Sequence, residues 1–230
     1  MQKILLLDYD HTLYPSTGTT LKAVDFRITE YIKTFLGFSH GDADSARLEF
    51  CAKYGTTLKG LEVMHGVNRD HYTDFIHAIP EHHLPPQDPD LVAWMGRVPH
   101  PVYIFTNARM DWAIRGLKTI GLESMLPLEI HPHGQPGKQQ FQGILDIVFM
   151  DWQGKPHPES YDKVEVLLRQ RHGNDIQIHF ADDRIDNLET AQARGWTTIW
   201  IPSYTAEQGT EHRFDLVLPS LTQLDPHRLL

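Results

Sequence analysis

The chain has a single cysteine, Cys51, in 230 residues. An internal disulfide and any multi-cysteine zinc site are thereby excluded, and no oxidising compartment is needed. Runs of lysine and arginine are also missing, and 21 basic against 30 acidic residues leave a net charge of −9. A field of that sign gives no general reason to bind a polyanion, so neither nucleic acid polymers nor anionic membranes are expected partners. Long apolar stretches are absent too: Ile4-Leu5-Leu6-Leu7 is stopped by Asp8, and no later segment approaches the ~20 apolar residues that span a bilayer. The expectation is a cytoplasmic protein with neither signal peptide nor anchor. No repeat or low-complexity tract is visible. Histidine is plentiful at 15, and His82-His83 and His131-Pro132-His133 look like ligand pairs, but none falls at HExxH spacing, which favours structural or surface roles.

What is present suffices for a packed core, with 40% hydrophobic and 10% aromatic residues. The length fits one large domain, or a core carrying a smaller insertion. Residues 3–7 form a short apolar run bounded by charge, the pattern of a buried strand. From about 20 to 80 the pattern is helical, with Val24, Ile28, Tyr31, Ile32 and Phe35 recurring at intervals of three and four. The stretch Leu84-Pro85-Pro86-Gln87-Asp88-Pro89 cannot continue a helix and reads as a linker.

Beyond it strands and helices alternate. Val102–Phe105 reads as a strand and Arg109–Ile120 as a helix stopped by Gly121, with a further helix from about Pro156. Ile176–Phe180 is a strand, Asp186–Arg194 a helix closed by Gly195, and Thr197–Ile201 another strand. Such alternation predicts an α/β fold with a doubly wound parallel sheet. The core spans 1–14 and 91–230, and a helical insertion at 15–90 follows the first strand. The Gly-, Gln- and His-rich stretch 127–154 has no clear assignment.

In an open α/β sheet, ligands bind beyond the carboxyl ends of the strands. Four such places carry polar groups: Asp8-Tyr9-Asp10-His11-Thr12, Thr106-Asn107, Lys155 before a helix, and Asp182-Asp183. Singly, each has a plain alternative. A strand-end Asp caps a helix or forms a turn, and a lysine before a helix is usually solvated. Their order and common placement are what single them out.

In that order the residues resemble the signature of the haloacid dehalogenase superfamily in its phosphatase branch: an apolar strand followed by DxDx[TV], a strand ending in Thr, a Lys, and a strand ending in paired acids. The resemblance covers 1–14 and roughly 96–205, and implies a Rossmann-like core with a helical cap inserted after the first strand. It narrows to the pyrimidine 5′-nucleotidase-like group through Asp8–Pro15, the cap segment 54–61, Phe105-Thr106-Asn107-Ala108, Lys155-Pro156-His157, and Asp182-Asp183 with Asn187. Two departures are that His11 stands where the group usually has Asn, and that the stretch before Lys155 is longer than usual.

The resemblance implies a Mg²⁺-dependent phosphomonoesterase. An acidic chain is compatible with a small phosphate ester, because a metal and one or two placed cations reverse the field locally. Asp8 would attack phosphorus and form an aspartyl-phosphate. Asp8, the backbone carbonyl of Asp10, Asp183 and, directly or through water, Asp182 would hold the metal. The other reading of the acidic pair is a helix N-terminal cap, against which three nearby carboxylates without a cation would repel. Asp10 would act as general acid and then general base, or simply form a turn. Dehalogenases of the superfamily lack an Asp there. Thr106, the amide of Asn107 at a helix start, and Lys155 would bind the phosphate. Lys138 competes with Lys155 but lies where no element holds it. Asn187 would brace the acidic loop, and Cys51 reads as a small apolar residue.

The cap would choose the substrate, with Tyr54, Thr57 and Lys59 as candidate contacts, though helix packing and solvent account equally for them. A pyrimidine nucleoside 5′-monophosphate is the implied substrate. A sugar phosphatase or phosphomutase on the same core is the enzyme alternative, and a non-catalytic phosphate-binding protein the other.

Overall fold

The structure, a computed structural model, describes residues 1–127, 140–202 and 213–228. The chain divides into two compact units, Met1–Thr17 with Pro86–Leu230, and Gly18–Pro85. The boundaries fall a few residues inside the expected 15–90. Residues 86–90 stay with the sheet unit because the proline run ends in a helix start: Asp88 accepts a hydrogen bond from the Leu91 amide, and Pro89 opens α5 (Pro89–Met95).

The smaller unit is helical, with α1 (Thr19–Leu36), α2 (His40–Tyr54), α3 (Thr57–His65) and α4 (Arg69–His77). Ser39, Thr56 and Asn68 cap α2, α3 and α4 by accepting from the amide three residues on. Tyr31, Ile32, Ala43, Phe50, Leu61 and Tyr72 are among the buried residues of its core, with Val24 and Ile28 partly buried against them. Phe35, expected in the buried stripe, is 47% exposed. Its ring stacks on the flank of that core, against Tyr31, His71 and Phe75.

The larger unit is built on β1 (Gln2–Leu7), β2 (Val102–Phe105), β3 (Phe141–Leu145), β4 (Ile176–Asp182), β5 (Thr197–Trp200) and β6 (Leu216–Val217). All pair in parallel, in the order β3-β2-β1-β4-β5-β6. Between them run α6 (Met110–Ile120), α7 (Pro158–His172) and α8 (Ile185–Ala193). The doubly wound parallel sheet is thus as expected. Two strands are additional: β3, in the stretch without an assignment, and the two-residue β6. The helix expected near Pro156 begins at Pro158, with His157 extended before it. Lys138 and the pair His131 and His133 lie outside the described residues. Among the described residues no helix is long and apolar enough to cross a membrane.

One face of the sheet presents Ile4, Leu6, Tyr103, Phe105, Ile178 and Phe180 to Tyr161, Val164 and Leu168 of α7 and to Leu188 and Ala191 of α8. Strand alternation turns Leu5, Leu7, Ile104, His179 and Ala181 to the opposite face. His179 is fully buried there, and neither ring nitrogen has a hydrogen-bond partner among the described residues. Burial, then Lys3 and His100, push its pKa down to about 4, with Asp215 pulling weakly the other way. The unfolded chain therefore takes up a proton near pH 6.5 that the folded chain refuses until about pH 4. Stability falls across that window as pH drops, and His179 contributes nothing to its pH dependence above it. In His179→Leu, urea denaturation at a series of pH values should show a shallower loss between pH 6.5 and 4, by up to one proton. An unchanged slope would show that the ring does not control it.

Candidate active site

The strand order reverses direction of growth at β1, with β2 on one side and β4 on the other, and the crevice at such a point lies outside the carboxyl ends of these strands. Register sets the residues there. Leu7 pairs with Ala181 and with Ile104, and the Asp8 amide donates to the Ala181 carbonyl at 2.9 Å. Asp8 and Asp182 thus come level, and Thr106 follows the end of β2.

Lys155 joins them. Its Nζ donates to Asp8 Oδ1 at 2.8 Å and to Asp182 Oδ2 at 2.6 Å, and all three side chains are buried. The ammonium also stands 5.1 Å from the ring centres of both Phe105 and Phe180. Burial pushes the Asp8 carboxyl above the ordinary range, Lys155 opposes the rise, and Asp183 and Asp10 add to it. Burial raises Asp182 likewise, again against Lys155. Burial alone would depress Lys155, but Asp182 and Asp8 more than offset it and hold the ammonium protonated.

The acidic pair is divided in use. Asp182 Oδ1 accepts from the Arg184 amide at 2.8 Å, and Asn187 Nδ2 donates to both Asp182 oxygens at 3.0 Å. With Lys155, every acceptor direction of that carboxylate is engaged. Asp183 lies nearer the rim, with His11 Nδ1 at 3.8 Å from its carboxylate. The N-cap of α8 is Arg184, whose side chain makes no capping hydrogen bond and instead donates to Asp186. One carboxylate oxygen each of Asp8, Asp182 and Asp183 lie within 4.8 Å of one another. Three hard oxygen donors around one lysine are an excess of negative charge, and such a donor set fits a hard divalent cation such as Mg²⁺.

Thr106 is buried, and its Oγ1 accepts from the Ala108 amide at 3.1 Å, leaving the hydroxyl hydrogen for another acceptor. Asn107 differs from expectation, because α6 starts only at Met110 and Asn107 therefore does not open it. Its side chain instead clamps the Lys155 backbone, Oδ1 accepting from the amide at 2.6 Å and Nδ2 donating to the carbonyl at 2.8 Å. Gly154 makes room for this clamp: its φ is +72°, and a Cβ there would stand 2.9 Å from Asn107 Oδ1.

Asp10 lies on the turn after β1, where Leu13 N donates to the Tyr9 carbonyl at 3.1 Å. His11 takes a φ of +65°, a region in which Asn and His are both enriched, and this accounts for His standing in that place. The Asp10 carboxylate receives hydrogen bonds from Tyr14 and Trp112, neither assigned a role from sequence. Asp146, at the end of β3, was also not singled out. It is buried and accepts from the Met110 and Phe149 amides at 2.9 Å, tying the start of α6 to the sheet end. Strand-end position, the signal used for the other acids, would have found it had β3 been recognised. A cavity of about 240 Å³ borders the same turn, lined among others by Thr12, Tyr14, Asp88, Leu91 and Ser220.

The three remaining candidates belong to the helical unit. Tyr54 ends α2, 6.3 Å ring to ring from Phe50. Thr57 is buried with its hydroxyl on the Arg47 carbonyl at 3.1 Å, and Lys59 Nζ lies 3.5 Å from Glu62. Cys51 is partly buried, its Sγ 3.9 Å from the Gly55 carbonyl.

No family model matches the sequence. Solved structures do resemble it along nearly their whole length. L-2-haloacid dehalogenase from Xanthobacter autotrophicus is 16% identical with a TM-score of 0.56, over 99% of this chain and 98% of that one. YfnB from Bacillus subtilis, assigned as a HAD-hydrolase and bound to magnesium, is 14% identical with a TM-score of 0.56, over 95% of each chain. The haloacid dehalogenase-like hydrolase SP0104 from Streptococcus pneumoniae is 15% identical with a TM-score of 0.55, over 94% and 93%. The chain therefore shares the α/β fold of these solved structures.

Removing the cation of the triad should cost more than a surface ion pair would. Lys155→Met leaves Asp8 and Asp182 buried without their shared partner, and an expected loss of about 3–5 kcal/mol in chemical denaturation follows. A change under about 1 kcal/mol, the scale of an exposed pair, would show that the triad does not carry stability.

Proposed function

We propose that the protein is a phosphomonoester hydrolase that works through an aspartyl-phosphate on Asp8. The observation that carries this reading is the presence of two carboxylates, two residues apart, in different surroundings. Asp8 is buried against Lys155 at the switch point of the sheet, and Asp10 stands beside it, held by Tyr14 and Trp112. In this reading Asp8 attacks and Asp10 moves the proton.

In the first step an Asp8 oxygen bonds to phosphorus while the bond to the leaving oxygen breaks, and Asp10 gives that oxygen a proton. In the second, Asp10 takes a proton from water, whose oxygen bonds to phosphorus and releases the Asp8 carboxylate. Lys155 and the Thr106 hydroxyl would hold phosphoryl oxygens through both steps. Asp8, Asp183 and the Asp10 carbonyl would hold Mg²⁺, while Asp182, whose oxygens are engaged by protein donors, would keep Lys155 in place beside them. That ion would supply charge neutralisation of the phosphate dianion.

The substrate proposal, a pyrimidine nucleoside 5′-monophosphate, rests on the likeness of residues 54–61 to the nucleotidase-like group. Tyr54 and Lys59 carry it better than Thr57, whose hydroxyl hydrogen is committed to the Arg47 carbonyl. A second reading, haloacid dehalogenation, is favoured by the dehalogenase named among the similar structures. Against it stands Asp10, since halide leaves as a stable anion and needs no proton, whereas an alkoxide does.

A panel of UMP, CMP, AMP, GMP, sugar phosphates, p-nitrophenyl phosphate and a 2-chloroalkanoate separates the readings. Phosphate release is expected, abolished by EDTA and restored by Mg²⁺, with kcat/KM for UMP or CMP above that for AMP or GMP. Asp8→Asn should lower turnover by a factor on the order of 10³ or more. Halide release without phosphate release would overturn the phosphatase reading, and equal rates on purine and pyrimidine nucleotides would overturn the substrate proposal alone.

A further inference from the structure

Two donors converge on one oxygen of Asp10. The Tyr14 hydroxyl donates to Asp10 Oδ1 at 2.5 Å and Trp112 Nε1 donates to the same oxygen at 3.2 Å. They come from unrelated places: Tyr14 from the residue four positions along the same turn, Trp112 from the first turn of α6. Both are buried, at 7% and 2% exposure. Among the described residues, Asp10 Oδ2 has no hydrogen-bond partner.

The donors are themselves fixed. The Tyr14 ring packs edge-on against Tyr9 at 5.4 Å and against His11 at 5.8 Å. Tyr9 in turn is seated on α6 one turn beyond Trp112, with its hydroxyl where a Cβ at Gly116 would stand 1.4 Å away. Any side chain at 116 would displace that ring. A tyrosine, a tryptophan and a glycine thus lock the turn carrying Asp10 to the helix carrying Trp112.

We propose that Tyr14 and Trp112 are positioning residues that hold the Asp10 carboxyl so that Oδ2 alone exchanges the proton in catalysis. The inference rests on the phosphomonoesterase reading. An oxygen that already faces two donor hydrogens is an acceptor, so the carboxylic acid form carries its hydrogen on the other oxygen. The first step moves that hydrogen from Oδ2 to the leaving oxygen as the phosphorus–oxygen bond breaks. The second returns one from water to Oδ2 as the water oxygen bonds to phosphorus and the bond to Asp8 breaks. One oxygen serves both steps only if the carboxyl plane stays put between them, and two donors on Oδ1 oppose its rotation about the Cβ–Cγ bond.

The consequence is selective. Loss of orientation should hurt substrates whose leaving oxygen needs a proton and spare those whose leaving group departs as a stable anion. Tyr14→Phe and Trp112→Phe each remove one donor and keep an aromatic ring. At one fixed pH, with Mg²⁺ present, kcat/KM is measured for an alkyl phosphate monoester and for p-nitrophenyl phosphate, since this ratio reports the first step alone. Each variant is expected to lose about tenfold or more on the alkyl ester and less than about threefold on the aryl ester. Equal losses on both esters, or no loss on either, in a variant whose circular dichroism matches the parent would overturn the inference with the phosphatase reading intact. If Trp112→Phe fails to fold, Tyr14→Phe decides alone. A parent protein that releases phosphate from neither ester overturns the underlying reading, and this inference with it.

Discussion

The buried contact of the Lys155 ammonium with the Asp8 and Asp182 carboxylates is the constraint around which the sheet end is arranged. Taking three charges out of water is costly, and a pair of this kind is often no more stabilising than an apolar cluster of the same volume. Its retention in the middle of an otherwise apolar sheet is therefore better explained by chemistry than by stability. The surroundings are consistent with this. Phe105 and Phe180 set adjacent rings 5.1 Å from the ammonium, Asn107 fixes the backbone of Lys155 at both its amide and its carbonyl, and Asn187 and the Arg184 amide fix Asp182. All of these contacts converge on one ammonium and its carboxylate partner and hold them in one place.

The same region holds departures from local preference. His11 sits in left-handed backbone, Gly154 does so beside a packed carboxamide, and the Tyr9 hydroxyl is buried with no hydrogen-bond partner among the described residues. Each costs free energy that ordinary packing would not incur. They are not confined to the site: His179 and His100 bury ring nitrogens without hydrogen-bond partners among the described residues, and Gly173 and Gly195 take positive φ ahead of β4 and β5, so such departures do not by themselves mark it.

How far the sequence could be read follows from the same physics. β1, β2 and β4 are buried on both faces, so they appear as short apolar runs, and the acids and threonine that follow them were visible as strand-end residues. β3 was not legible because Gln142 and Gly143 interrupt its apolar pattern. Gly143 lies beneath the Tyr103 ring, where a Cβ would come within 3.2 Å, so the residue that hides the strand is the one its neighbour requires. Pro156 and Pro158 give the same helix-start signal two residues apart, and only the extended conformation of His157 between them decides which one opens α7. Asn107 could be recognised as a polar residue at a strand end, but not that its carboxamide is committed to a peptide 48 positions away. Long-range pairing of this kind leaves no local trace.

The adjacent acids Asp182 and Asp183 show how a motif can be read correctly in place and incompletely in kind. In sequence they are one feature, a pair of carboxylates at the end of a strand. In the fold, successive side chains at a strand end point in different directions, and the two enter different environments. Asp182 is turned inward, fully buried and surrounded by Lys155, Asn187 and a backbone amide. Asp183 stands beside His11, whose Nδ1 is 3.8 Å from its carboxylate, and its side chain is 9% exposed against 0% for Asp182. The first carboxylate spends its acceptor directions on protein donors and holds Lys155, so what the sequence shows as one acidic feature is two groups set in two environments by a single step along the chain.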